Sequence, residues 1–340
     1  MAPRILIFGT GSLGIVYASI LSRAAPESNI TAVCRSNYDA ASKDGFELNS
    51  TLWGQRQRVR PRVVRSVSEA ITQSQPEPFD YIIVTAKALP SNPSVAEMIR
   101  PAITPGKTSI VLVQNGIGIE GEYARLYAGD DVPILSAVAY LPATRTAPNV
   151  VSHDVLEHLH VGTYPATGVP AAHKAAAQTF VDFVKSAGAT ATLHDDVQTQ
   201  RWRKALINGA WNPICALTRL RDKQFMASGN GKGAEEDEEN DPIQFIRAVM
   251  LEIASVAQAC GHMDVNEKTV DVTLDRASRR KMPGIQPSMM ADALAGKDME
   301  IDAIVGNVVK IAREKNVCIP LLRTVYLLAR GLNESFSLTK

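Results

Sequence analysis

The chain has 340 residues, which suggests two domains on the usual length prior. Its 36 basic and 35 acidic side chains leave a formal charge of +1, so neither nucleic acid nor an anionic membrane surface is recommended as a partner. A composition 45% hydrophobic and 21% charged is ordinary for a soluble globular protein with a sizeable core.

Met1-Ala2-Pro3-Arg4 shows no basic-plus-apolar leader, and no stretch approaches the ~18 apolar residues needed to span a bilayer, so a cytoplasmic protein is expected. Ile5-Leu6-Ile7-Phe8 is a continuous apolar run, as for a parallel strand buried on both faces. It leads at once into Gly9-Thr10-Gly11-Ser12-Leu13-Gly14 and a helical pattern through about Ala25, ended by Pro26. This is GxGxxG in its required setting between a strand and a helix. Gly9 permits the tight turn, Gly11 lets backbone approach a pyrophosphate, and Gly14 lets the helix pack closely. The pyrophosphate would sit on the helix N-terminus, where free N–H groups and the dipole favour negative charge. The alternative is a glycine-rich turn that serves packing only.

A second strand, Ile30–Val33, ends at Cys34-Arg35-Ser36, where an NAD site usually carries an acid. Arg35 with Ser36 beside it instead suits the 2′-phosphate of NADP, against the alternative of a surface arginine. Strands at Tyr81–Thr85 and Ser109–Val113 run into Lys87 and into Gln114-Asn115-Gly116. Ligands of open parallel sheets gather at such strand ends, which puts Lys87 and Asn115 near the nicotinamide end of a dinucleotide; either residue could equally serve a turn. Further β segments are expected near Ile134–Ala139, Val150–Ser152 and His158–Val161, then a helix at about Ala171–Ser186 and a strand at Ala189–Leu193. His158 and His160 lack a third metal ligand nearby and read as ordinary strand residues, so no metal is expected.

Beyond a boundary near Asp195–Asp196 the pattern becomes helical. The expected domains are therefore 1–196, dinucleotide-binding, and 197–340, α-helical and substrate-binding. Lys204, Asn208 and Asn212 recur every four residues in an otherwise apolar helix, so they share one face. One ammonium and two carboxamides set into a greasy helix suit a small carbonyl or carboxylate ligand; a snorkelling lysine with two asparagines capping nearby backbone is the plainer alternative. The glycine-rich, then acidic, segment at 228–242 cannot order itself by burial and is expected to be a flexible surface loop. Ser288 can cap a helix, and Glu300 opens another at the edge of its apolar face. Cys34, Cys215, Cys260 and Cys318 are widely spaced with no CxxC, so free thiols are expected rather than zinc or disulfides.

Taken together, these motifs resemble the ketopantoate reductase (2-dehydropantoate 2-reductase) family over nearly the whole chain. The resemblance rests on Gly9–Gly14, Arg35, Thr85-Ala86-Lys87 and Gln114–Gly118. It also rests on Trp202–Asn208 with Asn212-Pro213, and on Pro287-Ser288-Met289-Met290 followed by Glu300–Gly306. It implies an N-terminal Rossmann-type doubly wound parallel sheet followed by an all-α substrate domain, NADPH as cofactor, and reduction of a 2-oxo acid, with ketopantoate as the first substrate. By the same resemblance Lys204 is the general acid, and Asn208, Asn212 and Ser288 bind substrate. Asn115 lies between cofactor and substrate, and Glu300 contacts the cofactor. Reduction of another 2-oxo acid or an imine, and a non-catalytic NADP sensor, are the competing readings. A homodimer is left open.

Overall fold

In the computed structural model, residues 2–73, 77–229 and 241–338 are described. The chain divides into two units: Met1–Gln114 with Ile119–Val197, and Gln198–Lys340 with Asn115–Gly118. The four residues Asn115–Gly118, expected within the first domain, therefore belong to the second unit.

In the first unit all four residues of β1 (Ile5–Phe8) are buried, as a strand covered on both faces requires. The glycine turn leads into α1 (Ser12–Leu21). This helix stops four residues short of Ala25, because Arg23 and Ala24 bond back to Ile20 and Leu21 with the tighter three-residue spacing. There follow β2 (Ile30–Val33), α2 (Tyr38–Asp44), β3 (Phe46–Ser50), β4 (Gly54–Val59), β5 (Arg62–Val64) and α3 (Val67–Gln73). Next come β6 (Tyr81–Val84), α4 (Val95–Ile99), β7 (Ser109–Leu112), α5 (Glu120–Leu126) and β8 (Ile134–Tyr140). The unit closes with β9 (Ala143–Ala147), β10 (Val150–His153), β11 (His158–Thr163), α6 (Ala171–Ser186) and β12 (Ala191–Leu193).

Eight strands form one sheet in the order β12-β11-β8-β7-β6-β1-β2-β5. From β5 to β8 every pairing is parallel; β11 then runs antiparallel to β8. The chain leaves β1 toward β2 on one side and returns to β6 on the other, so the order reverses between β1 and β6. In open parallel sheets this reversal opens the crevice that takes the ligand. Alternate residues of β1 feed different cores: Ile5 and Ile7 join one, Leu6 and Phe8 the other, as a strand between two layers must. A second sheet, β4-β3-β10-β9, packs against α1. On the expected metal-free strand, His158 Nε2 lies 2.8 Å from Thr192 Oγ1, and His160 Nδ1 lies 2.8 Å from His194 Nε2.

The second unit contains α7 (Gln198–Thr218), α8 (Asp222–Met226), α9 (Asp241–Ala259), α10 (Glu267–Ser278) and α11 (Ser288–Leu294). A π-helical turn (Asp302–Gly306) then runs into α12 (Asn307–Glu314), and α13 (Pro320–Leu338) follows. Of the acidic segment expected to be flexible, residues 230–240 lie outside the described residues. α7 packs against α9, α11 and α13 and so runs through the core of this unit. Gly209 makes one such approach possible, since a Cβ there would stand 2.8 Å from Ile253 Cδ1 on α9. No described helix is long and apolar enough to cross a membrane.

Candidate active site

In the first unit the three glycines differ in what they permit. Gly9 has φ +99°, and a Cβ on it would lie 2.3 Å from the Ala86 nitrogen at the end of β6. A Cβ on Gly14 would lie 2.1 Å from the Gly9 carbonyl oxygen. Gly11 has nothing within 4 Å of where its Cβ would stand. Two glycines thus close the turn on itself and on β6, while the middle one leaves open space at the start of α1. Gly11 is also the N-cap of α1 and offers no side-chain acceptor, so the helix presents its first N–H groups, from Ser12, Leu13 and Gly14, without a cap. Open space in front of uncapped N–H groups is what a pyrophosphate needs.

Thr10 sits differently from its neighbours. Its side chain is buried, and its hydroxyl lies 3.0 Å from Cys34 Sγ and 3.2 Å from Asn37 Oδ1. Asn37 Nδ2 donates in turn to the Thr10 carbonyl at 2.9 Å. The Thr10 side chain is therefore a latch between the glycine turn and the loop after β2, and only its backbone faces the turn's business. That loop carries Arg35 and Ser36, both exposed. Lys87, after β6, is exposed as well. Gln114 ties the neighbouring strand ends together, its Nε2 donating to the Ala86 carbonyl at 2.8 Å.

The second unit gathers the remaining residues. Lys204, Asn208 and Asn212 share one face of α7, and Asn115 meets Lys204 there. Lys204 Nζ donates to Asn115 Oδ1 at 2.7 Å. Asn208 is half-buried with no hydrogen-bond partner for its side chain among the described residues. Asn212 is buried, and its Nδ2 likewise has no partner among them. Neither amide caps backbone, and the lysine does not end in solvent, so the plainer alternative is not the arrangement found. Leaving a buried amide N–H unpaired costs about 1–3 kcal/mol, which a ligand acceptor would recover. Pro213, inside the continuous α7, has no N–H to donate to the Gly209 carbonyl between the two asparagines.

Asn115 reaches Lys204 because its own segment is fastened to the helices at three other points. Arg201, buried, donates from its guanidinium to the Gly116 carbonyl at 3.1 Å. Asn307 Nδ2 donates to the Ile117 carbonyl at 2.7 Å. Ile117 N–H donates to the Ala303 carbonyl at 3.0 Å. That carbonyl is accessible because of the π-helical turn: the Asn307 N–H, which an α-helix would send to Ala303, bonds to Asp302 instead. Gly116, at φ +111°, lets the two backbones meet, since a Cβ there would stand 2.5 Å from the Ala303 oxygen. Arg201, Ala303, Asn307 and, in the first unit, Asn37 had no assigned role from sequence. Arg201 had a signal, an arginine one turn before Lys204 on the same face; the π-helical turn had none.

The electrostatics of this cluster follow from burial. Desolvation brings the Lys204 ammonium down to about 7, the nearby Arg201 charge pushes the same way, and Glu300 opposes both. Glu300 is buried and directly precedes the helical stretch, its carbonyl accepting Ile304 N–H at 3.0 Å. Ser288 is the first residue of α11 and exposed. The plainer alternative, that it caps this helix, is not found: Pro287 holds the cap position and the helix has no side-chain cap.

Residues 5–166 match the family Ketopantoate reductase PanE/ApbA, and residues 196–333 match Ketopantoate reductase PanE/ApbA C terminal. An uncharacterized protein of Saccharomyces cerevisiae is 30% identical, the match covering 95% of this chain and 91% of that protein. The crystal structure of 2-dehydropantoate 2-reductase from Methylococcus capsulatus superposes with a TM-score of 0.79 at 30% identity, covering 98% of this chain and 97% of that one. The ternary structure of D-mandelate dehydrogenase with NADH and anilino(oxo)acetate gives the same TM-score, 0.79, at 18% identity over 98% of this chain and 99% of that one; it shares the fold. Both halves of the chain match in order, and a relative matches end to end, so the chain belongs to the ketopantoate reductase family.

Proposed function

We propose that this protein reduces a 2-oxo acid to the 2-hydroxy acid with NADPH, ketopantoate being the first substrate to test and Lys204 the proton donor. The observation that carries this reading is the Lys204 ammonium, with a pKa brought down to about 7, held at 2.7 Å by Asn115 on a helix face with two amides that have no partners among the described residues.

The cofactor supplies hydride when bound, and the chain has a fitting cradle for it in the open space at Gly11, the uncapped start of α1 and the exposed Arg35 guanidinium. The remaining work belongs to side chains. As a substrate carbonyl is reduced its oxygen gains negative charge, and Lys204 Nζ hands that oxygen a proton. Asn115 Oδ1 accepts one ammonium hydrogen and so aims the others. Asn208 and Asn212 offer donors to the substrate's carboxylate, fixing the carbonyl against Nζ, and Ser288 adds a hydroxyl. Glu300 keeps the ammonium from losing its proton too early.

Mixing the protein with NADPH and ketopantoate, and following loss of the reduced nicotinamide's absorbance, tests the proposal. An aromatic 2-oxo acid and a 2-oxo acid plus amine complete the panel, and NADH in place of NADPH tests the cofactor. Turnover with the amine-supplemented mixture alone would move the reading to an imine reductase. Cofactor binding with no turnover on any of them would leave a sensor, a role for which a proton donor has no use.

A further inference from the structure

A pocket of about 290 Å³ lies between α12 and α13, well apart in sequence from the Lys204 stripe. Its wall carries four cations: Lys310 and Arg313 on α12, Arg323 and Arg330 on α13. Lys310 and Arg313 are three residues apart, and Arg323, Tyr326 and Arg330 follow at three and four, so each helix turns one stripe to the same space. No acidic side chain is among the lining residues; one carboxylate, Asp302, borders the floor, its Oδ1 3.0 Å from where a Gly306 Cβ would stand, against four cations on the wall. The floor includes Gly306, where a Cβ would stand 3.0 Å from Tyr326 Cε2, so the missing side chain is what lets the phenol in. Tyr326 is fixed by donating to Asp302 Oδ1 at 2.7 Å.

Elsewhere in the same unit some arginines are neutralised by acids, while others, such as Arg276, have no ion pair among the described residues. Arg247 pairs with both Glu267 and Asp271, Arg279 with Asp275, and Arg280 with the buried Asp222. Lys310, Arg313 and Arg323 have no ion pair among the described residues. Four like charges around one concavity repel each other, and an anion within it would add an attraction to each of them that offsets that repulsion. Guanidinium groups match phosphate oxygens with two parallel hydrogen bonds each, and the volume suits a small molecule.

We propose that the α12–α13 pocket binds the phosphate groups of a small phosphorylated metabolite, with side chains other than those of the proposed reductase site. A second copy of this chain is disfavoured as occupant, because a two-fold axis here would set cations against cations.

Isothermal titration of the full chain with inorganic pyrophosphate at low salt tests this. Three variants are compared: Arg323→Gln/Arg330→Gln, Lys310→Gln/Arg313→Gln, and a control, Arg145→Gln/Arg276→Gln, which removes the same charge at exposed positions elsewhere. The glycine turn also suits pyrophosphate, but it is identical in all the proteins, so differences between them report the α12–α13 pocket. Both pocket pairs should weaken one binding event at least tenfold, while the control changes it less than twofold. Equal weakening by all three pairs would mean general charge attraction and overturn the proposal, as would no weakening by either pocket pair. A parallel sedimentation arm uses vesicles containing phosphatidic acid. Co-sedimentation that depends on the four cations, without a pyrophosphate event, would assign the pocket to a lipid surface and overturn the small-metabolite reading.

Discussion

A lysine whose pKa lies near 7 is half charged at neutrality, and the direction of each pH effect follows from that. In the proposed reaction reduction needs the ammonium, so its rate should be level below pH 7 and fall about tenfold per unit above it; the reverse oxidation of a hydroxy acid would need the amine and should rise through the same range. Stability has its own sign. The unfolded lysine titrates near ~10.4, so between 7 and there the unfolded chain binds more protons and stability climbs with pH. Below pH 7 the cost of burying the ammonium is present in full. Lys204→Met should therefore melt above the parent at pH 6 and converge with it near the upper end of the window; a constant offset across that range would mean the lysine is not desolvated. Lys204→Ala should retain NADPH binding in a fluorescence titration and lose about 10²–10⁴ in kcat. Lys204→Arg should not rescue it, since guanidinium holds its proton at any working pH. Turnover of Lys204→Ala within about threefold of the parent would remove the proposed mechanism. Arg35→Ala should raise the KM for NADPH and leave NADH unaffected, because only NADPH carries the 2′-phosphate; equal losses with both would make the arginine structural.

At the scale of elements, what could be read from sequence was what rests on local pattern. β1, β2 and α6 lie where apolar runs and periodicity put them, and β8, β10 and β11 within one or two residues at their ends. The second sheet was missed. β4 has five exposed residues in six, and β9 is exposed through its middle, so neither alternates in the way that marks a half-buried strand. Their pairing is set by β3 and β10, which are about a hundred residues apart in the chain yet run side by side. The stripe on α7 was legible for the same local reason as β1. Its fastening to Asn115 was not, because it depends on a π-helical turn with no compositional mark and on contacts across more than eighty residues. Gly116 is the place to test this. Gly116→Ala puts a Cβ 2.5 Å from the Ala303 oxygen at a φ that L residues avoid, and should cost about 1–3 kcal/mol or more and most of the activity. Gly121→Ala, where the space is open and φ is ordinary, is the matched control and should be near neutral by thermal denaturation.

For the whole molecule, the second unit is discontinuous in sequence: it borrows Asn115–Gly118 from the middle of the first. Ile117 is buried within the helical core alongside Trp202, Leu206 and Ile304. Ile117→Ala should cost about 2–5 kcal/mol, and hydrogen exchange should show the lost protection in α7 and around the π-helical turn. Protection lost only in β6 and β7 would mean that the segment belongs energetically to the sheet. The borrowed segment also bears on how members of such a family can be recombined. A chimera joined between residues 197 and 198 separates the folds cleanly on paper, yet it takes Asn115, Gly116 and Ile117 from one parent and Arg201, Lys204, Ala303 and Asn307 from the other. Lock and keyhole then come from different lineages, and such a hybrid would need both to be matched before its two halves could work as one enzyme.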